Sequence, residues 1–355
     1  MKKKHFTWIC ASLLLFISSC EKEFDPYDSY KDITIVYGLI NPLDTIHYIR
    51  INRAFYAPES ATIVAQNPDS SNFPVEDIDV RIYEITPDGN STQLVVGSTI
   101  MQNKDTTTGH FYAPEQRVYY FKKKFHIQYL DNTIKIEIEH KKTGKIVYAE
   151  TPLVNDFDVT IPNPGMQVNF NPIPTTMRFE WVNAKHGKIY DAYYIIYYRE
   201  GRNDEPSDKW KKDSIVWHVG SRTAQITGNE EVQIETVTFN STLFYENVQK
   251  KVAYDPDVWR RPYVQAKISI WAGSEEMYHY NVINEHSGLL PDIPEYTNMK
   301  TKLNSVELEN EAFGIFTSRI RRDVYVRLSD HMMMKYLPDT ELVNRQFRPI
   351  PVVID

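Results

Sequence analysis

The stretch TIKIEIEH, residues 133–140, alternates without a break: Ile134, Ile136 and Ile138 fall on one side, Lys135, Glu137 and Glu139 on the other. Successive side chains of a strand point to opposite faces, so this pattern predicts a strand buried on one face and wet on the other. Lys142-Thr143-Gly144-Lys145 supplies a tight turn, and Ile146-Val147-Tyr148-Ala149-Glu150 returns beside it as a hairpin. Upstream, Asp77–Ile85 alternates in the same way and ends at the turn Thr86-Pro87-Asp88-Gly89-Asn90. Earlier still, Ile33–Ile40 and Ile46–Ile51 flank the turn residues Asn41-Pro42-Leu43-Asp44. Residues 57–76 are polar and hold three prolines, which predicts a long loop with room for a short helix. Short strands at this spacing imply a β-sandwich running to about Val154.

A second β region follows the Pro/Asn punctuation at Pro162–Gly165 and Asn171–Pro174. Met177–Trp181, Tyr190–Arg199, Ser214–Val219, Glu231–Phe239 and Tyr263–Trp271 are predicted strands. The tryptophan strand followed by a tyrosine-rich one resembles fibronectin type III and immunoglobulin-like modules. Two helices interrupt them. One is capped by Asn240-Ser241-Thr242, with Phe244, Val248 and Val252 at helical spacing. The other starts at Ser274-Glu275-Glu276, where acidic residues suit the positive end of the helix dipole. The expected fold is therefore mainly β: tandem immunoglobulin/fibronectin type III-like β-sandwich domains over 32–154 and 155–355, with a few short helices in the second.

The chain of 355 residues opens MKKKHFTWICASLLLFISSCEKEFD. Lys2, Lys3 and Lys4 form a positive head, Ile9–Ile17 a short apolar run, and Ser18-Ser19 precede Cys20. The run is too short for a hydrocarbon core of roughly 30 Å and has the architecture of a secretory signal over 1–19. Ile17-Ser18-Ser19-Cys20 resembles a bacterial lipobox, which implies that Cys20 becomes the lipidated first residue of the mature chain. Residues 20–31 then read as an acidic tether. Glu21, Lys22, Glu23 and Asp25 resemble the surface-export signal of Bacteroidota lipoproteins. Lipid chains contribute about 0.8 kcal/mol per buried methylene, so acylation anchors a protein that has no spanning segment.

Removing residues 1–19 takes away three lysines and no acid, which moves the net charge from −7 to −10. Such a chain is poorly matched to nucleic acid. The two cysteines are Cys10, in the signal, and Cys20. The folded part would then hold no disulfide, no thiol nucleophile and no cysteine-ligated metal.

Near the C-terminus, Pro294-Glu295-Tyr296-Thr297-Asn298-Met299 and Ala312-Phe313-Gly314-Ile315-Phe316-Thr317-Ser318 stand either side of a charged spacer. With the Ser274–Glu285 helix and the lipobox, this Thr-Asn … Gly-Ile-Phe pattern resembles a Bacteroidota outer-membrane lipoprotein family of unknown function. Its members are often encoded beside TonB-dependent receptors. The spacer Lys300–Glu311 departs from the family pattern, being longer and more charged than a glycine-rich link. The resemblance implies a surface β-rich lipoprotein. It carries no catalytic residue and no cofactor. Together with the address, the tandem β modules and the missing catalytic motifs, the expectation is a protein that binds rather than catalyses, partnered by an outer-membrane β-barrel receptor or transport system. A glycan-binding or adhesive protein is the alternative.

The remaining motifs weigh little. HExxH, GxSxG, a Walker loop and a dinucleotide fingerprint are all missing from the sequence. Trp210 and Trp259 lie among Lys209, Lys211, Arg260 and Arg261, and are the candidate ligand-binding aromatics for a glycan. Trp181 and Trp271 read as core. Asp204, Glu205 and Asp208, and Asp255 with Asp257, are acidic loops in which a calcium ion is the minor reading. His279 reads as a solvent-facing helix residue. The run His331-Met332-Met333-Met334 cannot present three thioethers on one face, so packing is expected there rather than soft-metal binding. Asp44-Thr45-Ile46 and Asp105-Thr106-Thr107 resemble a Bacteroidota O-glycosylation motif, with Thr45 and Thr106 as acceptors; Asp213-Ser214-Ile215 is a weaker match. No metal site is expected.

Overall fold

In the computed structural model the described residues are 33–54, 64, 67–102, 115–125, 131–202, 205–225, 233–287, 296–337, 342 and 345–347. The signal and tether, with Cys20, Glu21, Lys22, Glu23 and Asp25, lie outside them, and so does Thr106. The first strands along the chain are β1 (Thr34–Ile40), β2 (Ile46–Arg53), β3 (Ile78–Ile85), β4 (Ser91–Leu94), β5 (Val96–Gln102), β6 (Glu115–Lys122), β7 (Thr133–His140) and β8 (Ile146–Pro152). Then come β9 (Val159–Ile161), β10 (Gln167–Val168), β11 (Thr176–Val182), β12 (Ile189–Arg202), β13 (Lys211–Thr223), β14 (Ile234–Asn240), β15 (Val258–Arg260) and β16 (Tyr263–Gly273). The last are β17 (Lys300–Leu303), β18 (Val306–Leu308) and β19 (Ala312–Leu328). Helices occupy Pro68–Ser71, Thr242–Lys251 and Glu275–Ser287, and a π-helical turn occupies Met332–Tyr336. Among the described residues no helix is long and apolar enough to cross a membrane.

The alternation at 133–140 is realised in β7, whose Ile134, Ile136 and Ile138 have no exposed surface. β7 pairs antiparallel with β3 and β8 in a sheet ordered β18-β17-β8-β7-β3-β4. Its apolar face packs on Val36, Ile49, Ile51 and Phe121 from β1, β2 and β6. Burying an aliphatic side chain of this size contributes about 1.5–3 kcal/mol. At the edge of this core, Thr34 and His140 share a buried side-chain hydrogen bond of 2.9 Å that ties one layer to the other.

The second core lies between the sheet β14-β11-β9 and the strands β13, β12, β16 and β19. β12 explains why: Tyr190, Ala192, Tyr194, Ile196 and Tyr198 are buried, and the residues between them face outward. Phe179 and Trp181 of β11 meet Tyr194 and Tyr190 across the gap. The Thr242–Lys251 helix closes one end, with Phe244 stacked on Phe170 at 4.4 Å. Asn240 caps that helix, its side-chain oxygen accepting from the Thr242 N–H at 3.0 Å. Ser241 instead spends its hydroxyl on the Ile173–Thr175 loop.

The fold is mainly β and sandwiched, as expected, but the two sandwiches are not simply consecutive. Leu153 belongs to the first core and Val154 to the second, yet Met299, Ala312 and Phe316 return to the first. The reason is β19, seventeen residues long. Its first part, Ala312–Ser318, runs parallel to β1. Its continuation, Arg319–Val326, pairs antiparallel with β16. One strand therefore serves both sandwiches, and the division expected at Val154 is crossed by the tail.

The Thr-Asn … Gly-Ile-Phe pattern has a physical reading at this joint. The Asn298 side chain accepts from the Phe316 N–H at 3.0 Å and donates to the Phe316 carbonyl at 2.6 Å, which fixes the path of β19. Gly314 has φ +97°, and a Cβ there would overlap the Val36 carbonyl of β1. Only glycine combines that backbone with so close an approach. The Ser318 hydroxyl accepts from the Val154 N–H at 3.0 Å, where the chain enters the second core. The charged spacer between the motifs is the β17–β18 hairpin. It turns on Asn304 and Ser305, both at positive φ, and pairs onto β8.

Asn298→Ala should lower stability by about 2–3 kcal/mol, because two backbone groups of β19 lose their partner. Gly314→Ala should cost at least as much, about 3 kcal/mol from strain plus overlap. Urea unfolding of both variants, with the exposed Gly89→Ala as the control for positive φ alone, would measure this.

Candidate functional site

An aromatic and arginine-lined cleft lies on the outer face of the second sandwich. Strand parity builds it. In β16 the residues Ala266, Ile268 and Ile270 go inward, which sends Lys267, Ser269 and Trp271 outward. In β19 Ile320, Val324 and Val326 are buried, and Arg319, Arg321, Asp323 and Tyr325 share the outer face. Pairing sets the rows. Asp191 lies beside Trp271 and Trp271 beside Arg321; one row on, His218, Tyr193, Ser269 and Asp323 line up. The Glu275–Ser287 helix forms a wall with Met277 and Asn281, enclosing about 530 Å³. Gly273 permits this, since a Cβ there would overlap the Met277 sulfur.

Trp271 was expected in the core; strand parity places it here, half-buried, with guanidinium groups over its ring. Arg319 sits 4.4 Å from the ring centroid and Arg321 5.1 Å. Arg321 is also 3.4 Å from Asp323, which accepts from Lys267 at 2.8 Å. Burial opposes the charge on Lys267, but Asp323 outweighs it and holds the ammonium above its ordinary value. Burial likewise opposes the Asp323 charge; hydrogen bonds from Lys267 and Ser269, with Arg321 nearby, win and hold the carboxyl below its ordinary value. Arg319 differs. Among the described residues no carboxylate reaches ion-pair distance of it, and burial lowers its pKa against the weaker pull of Asp44.

Asp191, His218 and Ser221 meet at the edge of this face. Ser221 donates to Asp191 at 2.6 Å, and the same His218 nitrogen, Nε2, lies 3.2 Å from both. A nucleophile relay needs the carboxylate on one ring nitrogen and the hydroxyl on the other. Here both meet one nitrogen, and the shorter serine contact is to the carboxylate, so the trio has the geometry of a polar cluster and not of a relay.

Of the residues singled out in the sequence, Trp210 is corrected. It is 9 % exposed, its indole N–H donates to the Glu205 carbonyl at 2.9 Å, and its ring lies against Gly201. Trp259 is 45 % exposed, with Arg260 4.4 Å above its ring, so the two tryptophans do not make a joint platform. Trp217 of β13 is core. Trp181 is fully buried, as expected. Asp255 and Asp257 are both held by Arg202, and Asp204 lies outside the described residues. Among the described residues no group of three or more acidic, histidine or cysteine side chains could hold a metal. His279 is partly exposed beside Tyr296. Met332 is buried and accepts from the Phe170 N–H, whereas Met334 faces water. Thr45 is exposed in the β1–β2 turn. Two further grooves lie along the same outer face. One of about 820 Å³ includes Tyr263, Val264 and Tyr325; the other, about 290 Å³, includes Tyr197 and Lys212.

No family model matches the chain, and no curated protein matches it. Among solved structures it is similar to a DUF4785 family protein from Legionella pneumophila at 9% identity and TM-score 0.21, covering 67% of this chain and 52% of that one. It is also similar to the C-terminal globular domain of an oligosaccharyltransferase from Pyrococcus abyssi, at 12% identity and TM-score 0.22, covering 62% and 43%. The chain spans about half the length of these structures or less.

Asp323→Asn should cost about 1–3 kcal/mol at neutral pH, because the buried Lys267 is left without its counter-charge. The Asp323 carboxyl is depressed in the folded state. Its stabilisation is therefore complete above the unfolded value near 3.8 and is lost as pH falls through the lower folded value. Thermal unfolding from pH 7 to pH 2 should show wild type and variant converging only at the acid end.

Proposed function

We propose that this chain is a lipid-anchored protein of the outer membrane, facing the cell exterior, which binds a partner through the outer face of its second sandwich and catalyses nothing. The observation that carries the binding reading is that face itself. Tyr193, Tyr197, Trp271 and Tyr325 stand among Arg319, Arg321, Lys267 and Asp323 on one side of a rigid sheet. Exposed aromatics and arginines set among polar groups are what recognition surfaces are made of. Tyr325 is 50 % exposed and its neighbour Val264 52 %, which folding alone does not require.

The address supports the anchor. A positive head, a short apolar run and Ile17-Ser18-Ser19-Cys20 together favour acylation of Cys20, with Glu21, Lys22, Glu23 and Asp25 as the export segment. The favoured partner is an outer-membrane β-barrel receptor of the TonB-dependent kind. Thr45, exposed in its turn beside Asp44, is an O-glycosylation candidate alongside Thr106. A glycan-binding or adhesive role is the second reading, favoured by the aromatic and hydrogen-bonding lining of the 530 Å³ cleft. A hydrolase with a nonstandard site has less support, given how Asp191, His218 and Ser221 are wired.

Two measurements test this. Cys20→Ser should abolish incorporation of a labelled fatty acid and release the protein from the membrane fraction; unchanged membrane retention would overturn the anchor. Extraction in mild detergent and affinity capture should recover a β-barrel protein. Capture should fall at least fivefold with Tyr197→Ala and Tyr325→Ala combined, two residues away from the Trp271 cleft. Recovery of the lipoprotein alone, repeatedly, would overturn the partnership.

A further inference from the structure

We infer that the Trp271 cleft binds a carboxylated sugar, a uronic acid unit within a glycan, with Arg319 receiving the carboxylate. The inference rests on the reading of this outer face as a binding surface and adds the ligand's chemistry.

Arg319 is the starting point. A guanidinium presents a planar fork of donors that matches a carboxylate in two parallel hydrogen bonds. Most cations in this region are already engaged. Lys267 and Arg321 meet Asp323, and Arg322 meets Asp156 and Asp158. Among the described residues Arg319, unlike these, has no carboxylate at ion-pair distance, although it is half-buried in the cleft wall. Taking a charge out of water without a partner is costly, and the Trp271 ring 4.4 Å away offsets only part of that cost. The contact with the Trp271 ring also restrains the guanidinium, so less freedom is lost when an anion docks. A carboxylate docked there would supply the counter-charge.

The neighbours decide which anion. Asp191 lines the same cleft, and Asp44 is close enough to pull on Arg319 electrostatically. A doubly charged phosphate would meet more repulsion from them than a singly charged carboxylate. The same carboxylate of Asp191, with Asn281 and the Tyr193 hydroxyl, offers acceptors and donors for the hydroxyls of a sugar ring. Ile189, Met277 and the ring of Tyr193 give an apolar wall for its carbon face. The volume, about 530 Å³, lies within the roughly 300–1,000 Å³ of small-ligand pockets.

The test is calorimetric titration of the purified full chain with tetragalacturonate, its methyl ester, a neutral galactan tetrasaccharide, and an N-acetylated tripeptide with a free C-terminus. Tetragalacturonate should bind, and the ester and the galactan at least tenfold more weakly. Arg319→Met, which keeps the stem over Trp271, should lose the same factor with an unchanged melting temperature; Arg319→Lys should recover part of it. Equal affinity for acid and ester, or an Arg319→Met variant that binds the acid as before, overturns the inference. So does binding of the peptide carboxylate in place of the sugar. If no acidic sugar binds but capture of a barrel partner still depends on Tyr197 and Tyr325, the ligand assignment fails while the binding-face reading stands. If the acid binds and no partner is captured, the ligand assignment stands and the partnership fails.

Discussion

The structure depends on the path of β19. A strand shared by two sandwiches must satisfy two registers at once: parallel with β1 over Ala312–Ser318, antiparallel with β16 over Arg319–Val326. Three contacts hold that path. Asn298 takes both backbone groups of Phe316, Gly314 lets β1 come close, and Ser318 receives the N–H of Val154 where the chain changes cores. A slip of one residue would turn Phe316 out of the first core and Ile320 out of the second, because side chains alternate along a strand. The two cores therefore constrain one another through a single stretch of backbone.

Much of this was legible in the sequence. β7, β3, β8 and β12 announce themselves because each buries one face and wets the other. The helix with Phe244 and Val248 was legible through its spacing. The strands β4, β5 and β6 were not anticipated. β4 and β5 lie largely exposed, so they carry little apolar alternation to be read. The sharing of β19 was not legible either, because nothing local in Ala312–Leu328 says which partner each half will choose. The motif residues Asn298 and Gly314 were visible as letters, but what they do requires knowing that β1 lies alongside.

The cleft was partly legible. Trp271 read as core because large aromatics usually are. Strand parity says otherwise: counting by twos from the core residues Ala266, Ile268 and Ile270 puts Trp271 with Lys267 and Ser269 on the opposite, outer face of the sheet. The alternation Arg319-Ile320-Arg321 carries the same signal. Trp210 failed in the opposite sense. Charged neighbours suggested exposure, but its flanking lysines splay outward while the indole folds back over Gly201 and finds the Glu205 carbonyl. Neighbours in sequence are a poor guide to burial in a loop, where no fixed period relates them.

The parallel pairing of β1 with β19 has a mechanical consequence. A pull on the chain ahead of Thr34, resisted at the far end of β19, draws the two strands in opposite directions along their own axes. The inter-strand hydrogen bonds over Thr34–Ile40 then bear the load together instead of opening one by one from an end. Such a geometry yields by sliding, at high force. A body held by its leading end while its other half grips something outside would transmit tension across this joint before either sandwich came apart.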